Sequence, residues 1–82
     1  MSKADELAER LAIDALDYEK RSGNSAVVTE IGKIVGASSS TLQDAFLTAV
    51  RVLRAEAQAR AYLAEMETKG ESSLTMAINA DD

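Results

Sequence analysis

No proline interrupts the 82 residues of this chain, and alanine occurs 15 times. Proline ends helices more firmly than any other residue, and alanine favours them most. Leucine, glutamate, lysine and arginine supply much of the remainder, so local preference is helical almost throughout. The chain therefore reads as all-α, a three-helix arrangement with a long C-terminal helix. Its helix ends must be written by glycine and serine.

The first helix is expected from Lys3 to about Lys20. Ser2 with Asp5 three residues on has capping-box spacing. Leu7, Leu11, Ala15 and Tyr18 form its main apolar stripe, widened by Ala8, Ala12 and Leu16. Asp17–Arg21 and Glu6–Arg10 are i,i+4 pairs in the favourable orientation. Ser22-Gly23-Asn24-Ser25 then breaks the pattern. A short second helix follows, from about Ala26 to Val35, with Gly36 placed to end it. Ser40 with Gln43, or Thr41 with Asp44, can cap the third.

The third helix is the longest, expected from about Ser40 to Lys69 with Gly70 as a stop. It would span about 45 Å, against about 27 Å for the first. Leu42, Phe46, Ala49, Val50, Leu53, Ala57, Ala61 and Ala64 line its main stripe. Val52, Ala59, Leu63 and Met66 line a second, on which Tyr62 also lies, and Tyr62 and Met66 read as interface or core residues. Two shorter helices cannot cover both stripes over that length, whereas a second copy could. This predicts a homodimeric helical bundle.

Residues 71–82 are read apart from the helical domain of residues 1–70. Leu74, Met76 and Ile78 alternate with Thr75, Ala77 and Asn79, a strand-like period of two. The tail is thus expected to be extended or flexible.

Size sharpens the case for a partner. A chain this short buries only about 60–65% of the surface that its unfolded form exposes. Small scaffolds compensate with disulfides, metals or oligomerisation. Cysteine and histidine are both absent, which removes disulfides, thiolate metal sites and the commonest general base together. No cofactor or metal is expected, and the chain is read as non-enzymatic.

Other constellations carry little chemistry. Asp14 and Asp17 lie one turn apart, but on a helix with opposite charges nearby, so a solvated face explains them. Gly32 and Gly36 precede serines at a helix start without matching a phosphate-binding fingerprint. Ser38 to Thr41 have no histidine to activate them. No run of apolar residues approaches a membrane span, and the acidic N-terminus is unlike a signal peptide. A cytoplasmic location is the expectation.

The net charge of −5 is unevenly spread. Residues 1–25 carry four basic and six acidic side chains, net −2; residues 26–60 carry four and three, net +1; residues 61–82 carry one and five, net −4. Acidic balance repels nucleic acid at long range, with the middle segment as the exception.

That middle segment contains one motif. Residues 28–46 read Val-Thr-Glu-Ile-Gly-Lys-Ile-Val-Gly-Ala-Ser-Ser-Ser-Thr-Leu-Gln-Asp-Ala-Phe. The run resembles the helix-turn-helix of bacterial DNA-binding regulators of the lac-repressor and sigma-factor types. Gly32 stands where a small residue lets two helices touch, and Gly36 at the turn, where a left-handed backbone is needed. Ile31 and Ile34 correspond to the inner face of the first helix, and Leu42 to the residue packing back on it. The resemblance implies that Ser39, Ser40, Thr41 and Gln43 meet bases or phosphates, with Lys33, Arg51 and Arg54 on the phosphate backbone.

Two functions follow. The first is a small homo-oligomeric protein-interaction or regulatory module. Its surface is expected to comprise Val52, Arg60, Leu63 and Met66, with Leu74, Met76 and Ile78 from the tail. The second is a DNA-binding transcription regulator, placed behind the first by the chain's acidic charge.

Overall fold

A computed structural model describes the backbone of residues 2–81 and the side chains of residues 2–70. Three helices follow in order: α1 (Lys3–Ser22), α2 (Val27–Ser38) and α3 (Ser40–Asp81). No strand occurs among the described residues.

The first helix begins as the sequence implies. Ser2 is the extended N-cap, and its hydroxyl accepts the Asp5 N–H at 3.1 Å. It ends two residues later than expected, at Ser22, because local groups carry it on. The Ser22 hydroxyl donates to the Tyr18 carbonyl at 2.7 Å. Gly23 then adopts φ +75°, donating its N–H to the Glu19 carbonyl at 2.8 Å. A side chain at that φ would be strained, so glycine is the fitting stop. Asn24 starts the next element: its Oδ1 accepts the Ala26 N–H at 3.0 Å, standing in for the side-chain cap that Ala26 lacks.

The corner between α2 and α3 is a single residue. Ser39 is extended, with φ −153° and ψ 108°, and serves both helices. Its N–H donates to the Val35 carbonyl at 2.9 Å, closing α2. Its hydroxyl accepts the Leu42 N–H at 3.0 Å, capping α3. Ser39 takes the role expected of Ser40 or Thr41. Gly36 also differs from expectation: it lies inside α2, and Gly23 is the one residue with positive φ among those described. The left-handed turn that the motif resemblance implies at Gly36 is therefore absent.

The core is small and built around alanine. Ala8, Ala12 and Ala15 of α1, Val28 of α2, and Phe46 and Val50 of α3 are buried. Leu11, Leu16, Val27, Ile31, Leu42, Leu47 and Leu53 pack partly buried around them. Positions 8, 12 and 15 recur at helical spacing and carry only methyl groups, so α1 can lie close against α3 with Phe46 between. The stripe predicted for α1 is thus rotated. Its small residues face the core, while Leu7 and Tyr18 stay exposed. Tyr18 instead lies under Arg21, 5.6 Å from its ring centre.

The longest helix outruns its partners. Glu19, near the end of α1, grips Arg54 through two hydrogen bonds of 3.0 and 3.3 Å. Past Leu53 every described residue of α3 is exposed except Met66, which is half-buried. Gly70 does not stop the helix, whose backbone continues to Asp81. Glycine weakens a helix interior by about 1 kcal/mol without the steric block that proline imposes. The molecule is 64 Å long, matching the roughly 63 Å expected of 42 helical residues at 1.5 Å each.

Candidate interaction surface

Burial along α3 defines the surface. Residues 42–53 are covered on one face by α1 and α2, and the helix then leaves the bundle with its apolar side chains uncovered. Val52 is 61% exposed, Tyr62 63% and Leu63 52%. Singly such residues are ordinary. Here they share one side of one helix with Ala55, Ala59 and the half-buried Met66, and neither α1 nor α2 covers that side beyond Leu53.

Spacing explains why they align. Ala45, Val52, Ala59 and Met66 recur every seven residues, and Thr48, Ala55, Tyr62 and Lys69 follow at the intervening three-residue step. Seven residues are nearly two turns, so both series run along one seam. The seam lies roughly 165° around the helix from Phe46, Val50 and Leu53, given 3.6 residues per turn. Hence α3 has two apolar sides, one used by the bundle and one left open.

Of the expected interaction residues, Val52, Leu63 and Met66 fall on this open side. Arg60 stands one heptad after Leu53, on the bundle side of α3, and is tied to Glu56 of its own chain at 2.7 Å. Leu74, Met76 and Ile78 lie outside the residues whose side chains are described. Tyr62, expected on the second stripe, is its largest exposed member. The seven-residue repeat is the signal that includes it, and the stronger alanine stripe on the bundle side obscures that repeat. Ile34 is 70% exposed rather than on the inner face of α2, where the motif resemblance puts it.

The residues assigned to DNA contact are mostly engaged within the chain. The Gln43 amide donates to the Gly32 carbonyl at 2.9 Å, half-buried between α2 and α3. A Cβ at Gly36 would overlap that amide, so the glycine makes room for the clamp. Gly32 is itself buried, its missing Cβ 3.5 Å from Leu47. Ser39 is the cap already described. Lys33 pairs with Glu30 at 3.3 Å and Arg54 with Glu19. Ser40, Thr41 and Arg51 are exposed, and Arg51 takes part in none of the ion pairs among the described residues.

Among the described residues there is no cavity, no cluster of acidic side chains able to hold a metal and no buried polar side-chain atom without a partner. No helix is long and apolar enough to cross a membrane. No family model, curated protein or solved structure matches the chain. The open side of α3 is the feature that the fold leaves unexplained.

Proposed function

We propose that this chain is a small non-enzymatic interaction module that self-associates through α3. The observation that carries the reading is the uncovered apolar side formed by Val52, Tyr62, Leu63 and Met66, on a helix that its own bundle covers only as far as Leu53. The chain exposes 6126 Å². A compact monomer of 8.7 kDa would expose roughly 4,700 Å², from the scaling of surface with mass. The surplus of roughly 1,400 Å² reflects an elongated chain in which α3 stands clear of α1 and α2.

Thermal unfolding followed by circular dichroism tests this. When folding is coupled to association, the midpoint rises with protein concentration. Wild type is expected to show that rise. Leu63→Asp, which puts a charge on the open side without touching the bundle, is expected to lose it and to melt lower at high concentration. A wild-type midpoint independent of concentration would count against self-association.

A DNA-binding regulator is the second reading, favoured by the exposure of Ser40, Thr41 and Arg51. It ranks behind because Lys33, Gln43 and Arg54 would each have to leave a partner in the chain.

A further inference from the structure

We infer that the second copy lies antiparallel along α3, in a register that sets Val52 against the partner's Tyr62 and Ala55 against the partner's Ala59. The inference rests on self-association through the open side and adds its direction and register.

The seam itself supplies the layers. In an antiparallel pair the two heptad series face one another, so each residue of one series meets one of the other. Centring the pair on Ala57 uses residues 45–69 of both chains. The layers are then Val52 with the partner's Tyr62, Ala55 with the partner's Ala59, and Met66 with the partner's Thr48. The bulkiest side chain is matched to a smaller one. Alanines meet at the middle, where the helices can approach most closely. In a parallel pair Tyr62 would meet the partner's Tyr62 and Met66 the partner's Met66, placing like beside like and concentrating bulk at one end.

Charge selects the same direction. Arg51, Gln58 and Glu65 stand one heptad apart on one flank of the seam, giving it a positive end, a neutral middle and a negative end. Antiparallel pairing brings Arg51 against the partner's Glu65 at both ends and Gln58 against the partner's Gln58 in the middle. Among the described residues Arg51 is exposed and outside the ion pairs, and Glu65 has one exposed contact, with Lys69 at 3.5 Å. On the other flank Glu56 would face the partner's Glu56, and the Arg60 of each chain, 2.7 Å away, neutralises it there. Residues 61–82 carry a net −4. A parallel pair would place two such segments side by side, whereas the antiparallel pair separates them. Only Ala45, which meets the partner's Lys69 in this register, packs half-buried against its own core, and the rest of the seam faces away from α1 and α2.

Cysteine scanning reads the direction without background, because the chain has none of its own. Under mild oxidation a mixture of Val52→Cys and Tyr62→Cys chains should form the mixed disulfide dimer, while Val52→Cys alone should not link. Charge reversal reads the register. Arg51→Glu or Glu65→Arg alone should raise the dimer dissociation constant by roughly tenfold, since two exposed pairs are lost at once. The double reversal should restore it. Efficient self-linking of Val52→Cys, or a double reversal weaker than either single, overturns the antiparallel register while leaving self-association intact. A wild-type protein that sediments as a monomer at every concentration removes both.

Discussion

Two glycines four residues apart in α2 do different work, and alanine substitution separates them. At Gly32 an added methyl reaches ordinary contact with Leu47 at 3.5 Å. The helix then gains from a stiffer backbone, so Gly32→Ala should stabilise the protein by about 0.5–1 kcal/mol. At Gly36 the same methyl must evict the Gln43 amide from the Gly32 carbonyl. That loss offsets the helix gain by about 1 kcal/mol, so Gly36→Ala should be near neutral. Urea denaturation at one fixed protein concentration gives both values. Equal stabilisation by the two changes would show that Gln43 contributes nothing. Capping shows how far residues can be read without coordinates. Ser2 was legible because it stands alone at its boundary, whereas the four turn-formers Ser22 to Ser25 marked a break without singling out Gly23 as the stop. Ser39 was not legible, because four consecutive hydroxyl residues, Ser38 to Thr41, all have the chemistry of a cap. Only the trajectory of α2 decides which one turns extended.

Helices follow from composition, yet which side of each is buried does not. For α1 the sequence shows one broad stripe of Leu7, Leu11, Ala15 and Tyr18 with Ala8, Ala12 and Leu16 beside it, and does not say which edge is buried. Close approach to Phe46 selects the alanines, a choice made by α3 and invisible within α1. The strand-like alternation near Met76 and the glycine at 70 likewise pointed away from helix, whereas the backbone of α3 continues to Asp81. A period of two over so few residues is a weak signal beside a helix already propagating, since extension is easier than nucleation. Both apolar stripes of α3 were legible, and so was the shortage of chain to cover them. One contact joins the elements at the point where α3 leaves the bundle. Glu19 is mostly shielded there and takes both hydrogen bonds from Arg54, whereas Asp17 and Arg21 are each more than 60% exposed. Arg54→Ala should therefore cost about 0.5–1 kcal/mol, and Arg21→Ala a few tenths. Equal losses in urea unfolding would contradict a clamping role for Arg54.

At the scale of the whole molecule, one shortage links the sequence to the proposed function. Six buried apolar side chains form the core, and no disulfide supports them. A helix of 42 residues is nevertheless more than twice as long as the cover that α1 and α2 provide. A monomer would leave Val52, Tyr62 and Leu63 in water and add almost nothing to the core in return. An antiparallel pair would extend the core along α3 and give each bundle a second layer of support, with binding contributing to stability by mass action. Sedimentation equilibrium of the wild-type protein over a wide concentration range measures this directly. A self-associating chain gives a mass of about twice 8.7 kDa, falling toward the monomer only on strong dilution. A single species of 8.7 kDa throughout would contradict self-association, and would mean that the open side of α3 is not a surface for a second copy.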